Sequence, residues 1–222
     1  MLVFELIDTH YAPLRQTSTQ SEAIAMMERE KLQYYPIVDT VSHKLVGQAD
    51  LDLIREFQES PDYAIERGSG YGQVLLESNH VLEAAQIMLR NNRTALPVVD
   101  REANYLGMVT RNDLVDSITR LLNLHEPGTV LMIEIPARDY MLSDIIRIVE
   151  SEGARIITLT VQAPVLHDGH FRVSVKLNLD DLSRVGSALR RYGYQITSES
   201  SAELRDSDLA DRADAFMRYL DI

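Results

Sequence analysis

The chain has no cysteine and no tryptophan. Without cysteine it can form no disulfide, no thiolate metal site and no cysteine nucleophile. Aromatic residues make up only 6% of the sequence, too few to suggest a stacking platform for single-stranded nucleic acid. No run approaches the roughly 20 consecutive apolar residues needed to span a bilayer. Met1 to Asp8 is apolar only briefly and carries no basic residue, so it does not read as an export signal. Basic residues are outnumbered: 22 Lys and Arg stand against 34 Asp and Glu, a formal charge of −12. No basic cluster emerges that would bind nucleic acid non-specifically, and the acidic balance disfavours an anionic membrane surface. The expectation is a soluble, cytoplasmic protein with no nucleic-acid or membrane partner.

What is present is a repeat. Tyr35-Pro36-Ile37-Val38-Asp39 returns 61 positions later as Leu96-Pro97-Val98-Val99-Asp100. Glu22-Ala23-Ile24-Ala25-Met26-Met27 matches Glu83-Ala84-Ala85-Gln86-Ile87-Met88 at the same offset. Gly47-Gln48-Ala49-Asp50 matches Gly107-Met108-Val109-Thr110 at an offset of 60, so the second copy has lost one residue in the hairpin between. Each copy is one supersecondary unit that buries a face against the other. Such a pair makes a pseudo-twofold cleft, where a ligand would sit.

Apolar spacing predicts a helix over residues 20–33, strands at Tyr35 to Val38 and from Leu45 through Gly47, and a helix from Asp50 to Phe57 with Asp50 as N-cap. The second copy follows with a helix from Leu82 to Leu89, strands at Leu96 to Val99 and Tyr105 to Val109, and a helix from Leu114 to Leu122. Gly68-Ser69-Gly70-Tyr71-Gly72 lies between the copies. It has no lysine and no helix after it, so it reads as a linker, not a phosphate loop.

A different unit starts after Pro127-Gly128. Strands are predicted at Thr129 to Ile135, Arg155 to Val161, Phe171 to Leu177 and Tyr194 to Thr197. Helices are predicted at Tyr140 to Glu152 and Asp180 to Tyr192, and His167-Asp168-Gly169 reads as a hairpin turn. The order βαββαβ is the split ferredoxin-like pattern. From Asp206 to Ile222, Leu209, Ala213, Phe216, Met217 and Leu220 share one helical face. Its polar side is acidic, which points to protein contact and away from a membrane.

The candidate chemistry centres on Gly107-Met108-Val109-Thr110-Arg111-Asn112-Asp113. Thr110 and Asp113 lie three apart where a strand passes into a helix. A carboxylate is acceptor-only and can take both hydroxyls of a ribose, and a threonine hydroxyl adds a further bond. Arg111, Arg90 or Arg93 would meet a phosphate. Thr-x-x-Asp is equally a capping-box start to a helix. His167-x-x-His170 has no third ligand nearby and reads as polar surface. No nucleophile–base pair can be assembled and no hydrolase or kinase motif occurs. Met26, Met27, Met88 and Met108 read as core.

Taken together, the alanine-bearing helix, the Pro-Val-Val-Asp strand and the Gly-h-h-Thr-x-x-Asp turn resemble a tandem CBS-domain pair, or Bateman module, over residues 1–123. Residues 129–200 resemble an ACT domain, and the order resembles that of acetoin-utilisation AcuB-like proteins. The resemblance implies an α+β chain: CBS repeats of βαββα type at 1–62 and 63–124, a ferredoxin-like ACT-like domain at 128–200, and a C-terminal amphipathic helix at 203–222. It implies no cofactor and no catalysis. It implies regulation by an adenosyl ligand (AMP, ADP, ATP or S-adenosylmethionine), a homodimer and an unknown protein partner. Thr110 and Asp113 match the ribose-binding positions, with Arg111 and Gly107 in the same turn. Ala95 and Leu96 fall where adenine is met through backbone groups and apolar contact. The first copy departs, with Asp50 at the threonine position and Leu53 at the aspartate position, so one nucleotide per chain is expected. The ACT half departs too. Ala137-Arg138-Asp139-Tyr140 replaces an Asp-x-Pro-Gly-like turn, so this half is expected to serve dimerisation or partner contact. A ligand-free dimeric adaptor is the alternative.

Overall fold

The computed structural model describes residues 1–56, 72–164 and 169–200. The chain divides between Leu121 and Leu122 into two compact units. The expected glycine-rich linker (apart from Gly72), most of the His167–Gly169 turn and the C-terminal amphipathic helix lie outside the described residues.

The first unit contains the duplication. Its first half runs β1 (Leu14–Arg15), α1 (Gln20–Glu30), β2 (Tyr34–Val38), β3 (Leu45–Asp50) and α2 (Leu51–Glu56). Its second half runs β4 (Leu75–Leu76), α3 (Val81–Arg90), β5 (Ala95–Val99), β6 (Tyr105–Thr110) and α4 (Arg111–Leu121). Both first helices start with the same device. Thr19 Oγ1 accepts from Glu22 N while Glu22 accepts from Thr19 N. His80 Nδ1 accepts from Leu82 N while Glu83 accepts from His80 N. Such caps satisfy N–H groups that a helix start leaves unpaired. The helices then bury Ala23 and Met27, and Ala84 and Met88, one turn apart on one face.

The strand registers repeat as well. Leu14 pairs with Ile37 and Leu75 with Val98, both in parallel. Tyr34 pairs with Asp50 and Ala95 with Thr110, both antiparallel. Each hairpin carries a register shift at the same point, between Ile37 and Val38 and between Val98 and Val99. The first hairpin closes Val38 on Leu45 and the second Val99 on Tyr105. The missing residue therefore falls in the loop, and the ladders are unaffected. Strands β1 and β4 are two residues long, too short to impose a period on the sequence.

The N-terminal segment crosses between the copies. A 3-10 turn, Val3–Leu6, buries Val3 and Leu6 in the core of the second repeat, beside Leu96, Val98 and Val109. Conversely, Ala95 and Met108 of the second repeat lie in the core of the first, with Met27, Tyr35 and Ile37. The two repeats are thus packed as one body.

The second unit is a four-stranded antiparallel sheet. Strands β7 (Thr129–Pro136), β8 (Ile156–Gln162), β9 (His170–Leu177) and β10 (Gln195–Ser200) lie in the order β10-β7-β9-β8, with helices α5 (Leu142–Ser151) and α6 (Ser183–Arg191). This is the ferredoxin-like arrangement that the βαββαβ order calls for. Strand β7 alternates buried and half-buried residues throughout. Its Leu131, Ile133 and Ile135 meet Val173, Val175 and Leu177 of β9 and Ile145, Ile148, Val185 and Leu189 of the helices in one core. Two helices begin later than the sequence predicts. Ala137–Asp139 forms a 3-10 turn before α5. The Asp181 side chain accepts from Ser183 N, which sets the start of α6. Among the described residues no helix is long and apolar enough to cross a membrane.

Candidate functional site

Thr110 ends β6 and Arg111 begins α4, so the turn between strand and helix is a single peptide. Thr110 N and Thr110 Oγ1 both donate to Asp113 Oδ2, at 2.8 and 2.6 Å, and Asp113 N donates back to Thr110 Oγ1 at 3.2 Å. This is a reciprocal capping box, worth about 0.5–2 kcal/mol to the helix. It uses Oδ2 and leaves Oδ1 outside the cap. Both residues are half-buried. Ala95 lies directly across the ladder from Thr110 and is buried.

Arg111 stands beside them. Its N–H donates to Thr94 O and its Nη2 to Arg93 O, both at 2.8 Å. The guanidinium is therefore held against the chain entering β5, while its outer side remains exposed. Thr110, Asp113, Arg111 and Ala95 thus share one strand–helix corner.

Two of the expected contact residues are engaged by the chain itself. Gly107 does admit a close backbone, but that backbone is the chain's own. A Cβ on Gly107 would lie 2.6 Å from Asp8 O and 2.6 Å from Ile7 Cγ2, at φ +148. Asp8 and Met108 exchange both backbone bonds there, at 2.8 and 3.0 Å. Gly107 serves the docking of the N-terminal segment, and the space beside it is filled. Leu96 has 0% of its surface exposed. Its side chain is core, so only its backbone could meet an adenine ring.

The same corner in the first repeat is built differently. Asp50 Oδ1 accepts from Gln33 Nε2 at 2.9 Å and from Asp52 N at 3.1 Å, so it caps α2. Leu53, where the second repeat has Asp113, is 43% exposed and has no acceptor to offer a hydroxyl.

Sequence reasoning missed a group that joins the repeats. The Arg93 guanidinium lies over the ring of Tyr34, with its carbon 3.1 Å from the centroid. Tyr34 is the counterpart of Ala95 in the duplicated pattern. Such a contact contributes about 0.5–2 kcal/mol, depending on desolvation. Arg93 Nη1 is buried with no hydrogen-bond partner, which costs about 1–3 kcal/mol or more for a charged group. The substitution of tyrosine for alanine between the copies was the signal in the sequence. Nearby, the Tyr105 hydroxyl donates to Tyr11 O at 2.8 Å, and burial pushes its pKa up.

In the second unit a depression of about 600 Å³ is lined by Asn123, Glu126, Arg155, Asn178 and Asp180 among others. It lies at the start of β7, whereas Ala137 to Tyr140 follows the end of that strand. Among the described residues no group of three or more acidic or histidine side chains is placed to hold a metal ion.

Residues 74–120, which carry this corner, match the CBS domain family model. The second repeat is a CBS domain. The first repeats its element order and strand registers, so the N-terminal unit is a CBS-domain pair. An uncharacterized protein of Methanocaldococcus jannaschii is 50% identical over 36 residues, 16% of this chain and 21% of that protein. The match spans about a fifth of that relative's length. A crystal structure of a CBS domain pair/ACT domain protein from Thermotoga maritima is 18% identical, with a TM-score of 0.49 over 55% of this chain and 99% of that one. A structure of CBSX2 in complex with AMP is 18% identical, with a TM-score of 0.46 over 54% of this chain and 97% of that one.

Proposed function

We propose that the CBS pair is a non-catalytic regulatory sensor that binds one adenosyl ligand per chain at the Thr110–Asp113 corner. The observation that carries this reading is the asymmetry of the two corners. The second repeat keeps a hydroxyl and a carboxylate on one strand–helix turn, with Oδ1 of Asp113 outside the cap. The first repeat has an engaged aspartate and a leucine. A ribose cis-diol donates to the carboxylate, Thr110 adds its oxygen, and adenine lies along β5 beside Ala95. AMP, ADP, ATP and S-adenosylmethionine share these features. The ligand shifts the packing of the two repeats by binding one arrangement better than another, and a homodimer conveys the shift to a partner protein. The second unit, whose strand order resembles an ACT domain, supplies dimerisation or partner contact. The protein acts in the cytoplasm.

A thermal-shift screen with AMP, ADP, ATP, S-adenosylmethionine, NAD and a cyclic dinucleotide tests the reading. A ligand at 100 times its Kd adds about 2.7 kcal/mol of stability. A shift with an adenosyl compound that disappears in Asp113→Ala supports the sensor.

The completeness of the Thr110–Asp113 capping box favours a second reading, since each group already satisfies the other. On that reading both corners are structural and the chain is a ligand-free dimeric adaptor. A screen in which none of these compounds shifts the melt selects it.

A further inference from the structure

The sheet of the second unit has two faces. Leu131, Ile133 and Ile135 of β7 lie in the core that both helices cover. Val130, Met132 and Glu134 take the opposite face, because side chains alternate along a strand, and all three are half-buried. The ladders set Val130 beside Lys176 and Thr158, Met132 beside Ser174 and Thr160, and Glu134 beside Arg172 and Gln162. An antiparallel sheet with one face in water reads apolar inward and polar outward. Strands β8 and β9 follow that rule on this outer face. Strand β7, between two neighbours, breaks it with Val130 and Met132. One end of the face is bordered by the chain entering the unit. Thr158 Oγ1 donates to Leu122 O at 2.6 Å and Lys176 Nζ to Asn123 O at 2.8 Å. Leu124 there is 54% exposed. Past Ser200 the sequence continues for 22 residues, and Ser200 pairs with Val130, at the border of the same face.

We propose that Asp206 to Ile222 docks as a helix on this outer face of its own chain, with Leu209, Phe216, Met217 and Leu220 covering Val130 and Met132. The lengths agree. A helix of these 17 residues is about 25 Å long, and the eight residues of β7 and of β9 span about 27 Å. Ser201 to Arg205 reaches up to about 17 Å, enough to rise one layer of roughly 10 Å from the end of β10. The charges agree as well. Residues 201–222 hold six acidic and three basic side chains. The outer face offers Arg172 and Lys176, with Glu134 bonded to Arg172 Nε at 3.1 Å. On a helix Asp214 and Asp221 flank one edge of the apolar stripe, about 10 Å apart along the axis. Arg172 and Lys176 stand on one face of β9 about 13 Å apart. Docked in this way, the segment gives the sheet a second apolar layer, and the partner contact proposed above falls on another surface of the unit.

Pulsed electron–electron double resonance on the full chain tests this. The sequence has no cysteine, so two introduced cysteines are the only label sites. Thr160→Cys marks the outer face, Ser187→Cys the exposed side of α6, and Asp211→Cys the polar side of the segment. The Thr160–Asp211 pair should give one narrow distance distribution, with a mean at least about 10 Å shorter than that of the Ser187–Asp211 pair, because the sheet separates α6 from the outer face. Met132→Asp and Phe216→Asp should each broaden the Thr160–Asp211 distribution. If Met132→Asp does not fold, Phe216→Asp decides. A broad distribution in the chain without these substitutions overturns the proposal, and so does a narrow one that neither substitution changes. A narrow distribution that is lost when labelled chain is mixed with tenfold unlabelled chain puts the segment on a second copy and overturns docking within one chain. A narrow distribution that survives this mixing and broadens in Phe216→Asp establishes it.

Discussion

The Thr110 hydroxyl donates to Asp113 Oδ2 at 2.6 Å, and Asp113 N–H donates back to Thr110 Oγ1 at 3.2 Å. One pair of side chains therefore starts a helix and, on the function proposed above, also offers a carboxylate to a ligand. The two roles overlap because a helix start and a ribose site need the same chemistry: an acceptor for N–H or O–H donors at a strand's end.

Asp113→Ala should show both roles. Losing the cap should cost about 0.5–2 kcal/mol of stability, and losing the carboxylate should weaken adenosyl binding by about 1–3 kcal/mol. Thr19→Ala is the control, because Thr19 caps α1 with the same geometry. It should lower the melting temperature by a similar amount with no change in ligand affinity. Equal loss of affinity in both variants would mean that Asp113 acts only through stability.

Gly107→Ala should destabilise the first unit by at least about 2 kcal/mol. The new Cβ would meet the backbone oxygen of Asp8, which cannot rotate away, at a φ that side chains rarely adopt. Urea denaturation gives the magnitude. Hydrogen exchange at Asp8 N, whose bond to Met108 O closes this contact, should accelerate. A variant of wild-type stability would show that the N-terminal segment does not pack as described.

The hairpin loops make stability fall in acid. Asp100 accepts from Asn104 Nδ2, Asn104 N and Glu102 N. These bonds, the Asn104 side chain first, hold its carboxyl below the usual aspartate value. Asp39 is lowered in the same way by Ser42. A depressed folded pKa gives stability that is present above the unfolded pKa of about 3.9 and is lost as pH falls through the folded value. Urea midpoints should hold level near neutrality and decline below about pH 4. Asp100→Asn should make the decline shallower, and an unchanged slope would exclude Asp100 from it.

The duplication was legible because its parts are local. An offset of 61 carries the capping glutamate, the Ala and Met of the helix face, and the Pro-Val-Val-Asp strand. Each of these residues acts on neighbours a few positions away, so the pattern is written along the chain. The clean period of two in Phe171 to Leu177 likewise placed β9, and the βαββαβ order the four-stranded sheet. The corner of Thr110, Asp113, Arg111 and Ala95 is local in the same way, since the ladder sets Ala95 against Thr110 and the helix turn sets Asp113 three residues on.

Gly107 shows where that legibility ends. A glycine in a strand announces a close approach, but whether a ligand or the chain itself arrives depends on where a segment almost 100 residues earlier in sequence comes to rest. Here Asp8 fills the space. The resemblance placed Leu96 at adenine contact through backbone groups and apolar contact, and packing around Val3 and Leu6 encloses its side chain completely. Arg93 and Tyr34 are 59 positions apart and meet only because the two repeats pack together. The sequence alone determined the longer helices and strands, the repeat and the strand–helix corner, because capping, pleat alternation and helical spacing act over a few residues. The tertiary structure alone decided which groups share that corner and which are sealed in the core. Those outcomes depend on steric exclusion between segments distant in sequence, and no local pattern encodes it.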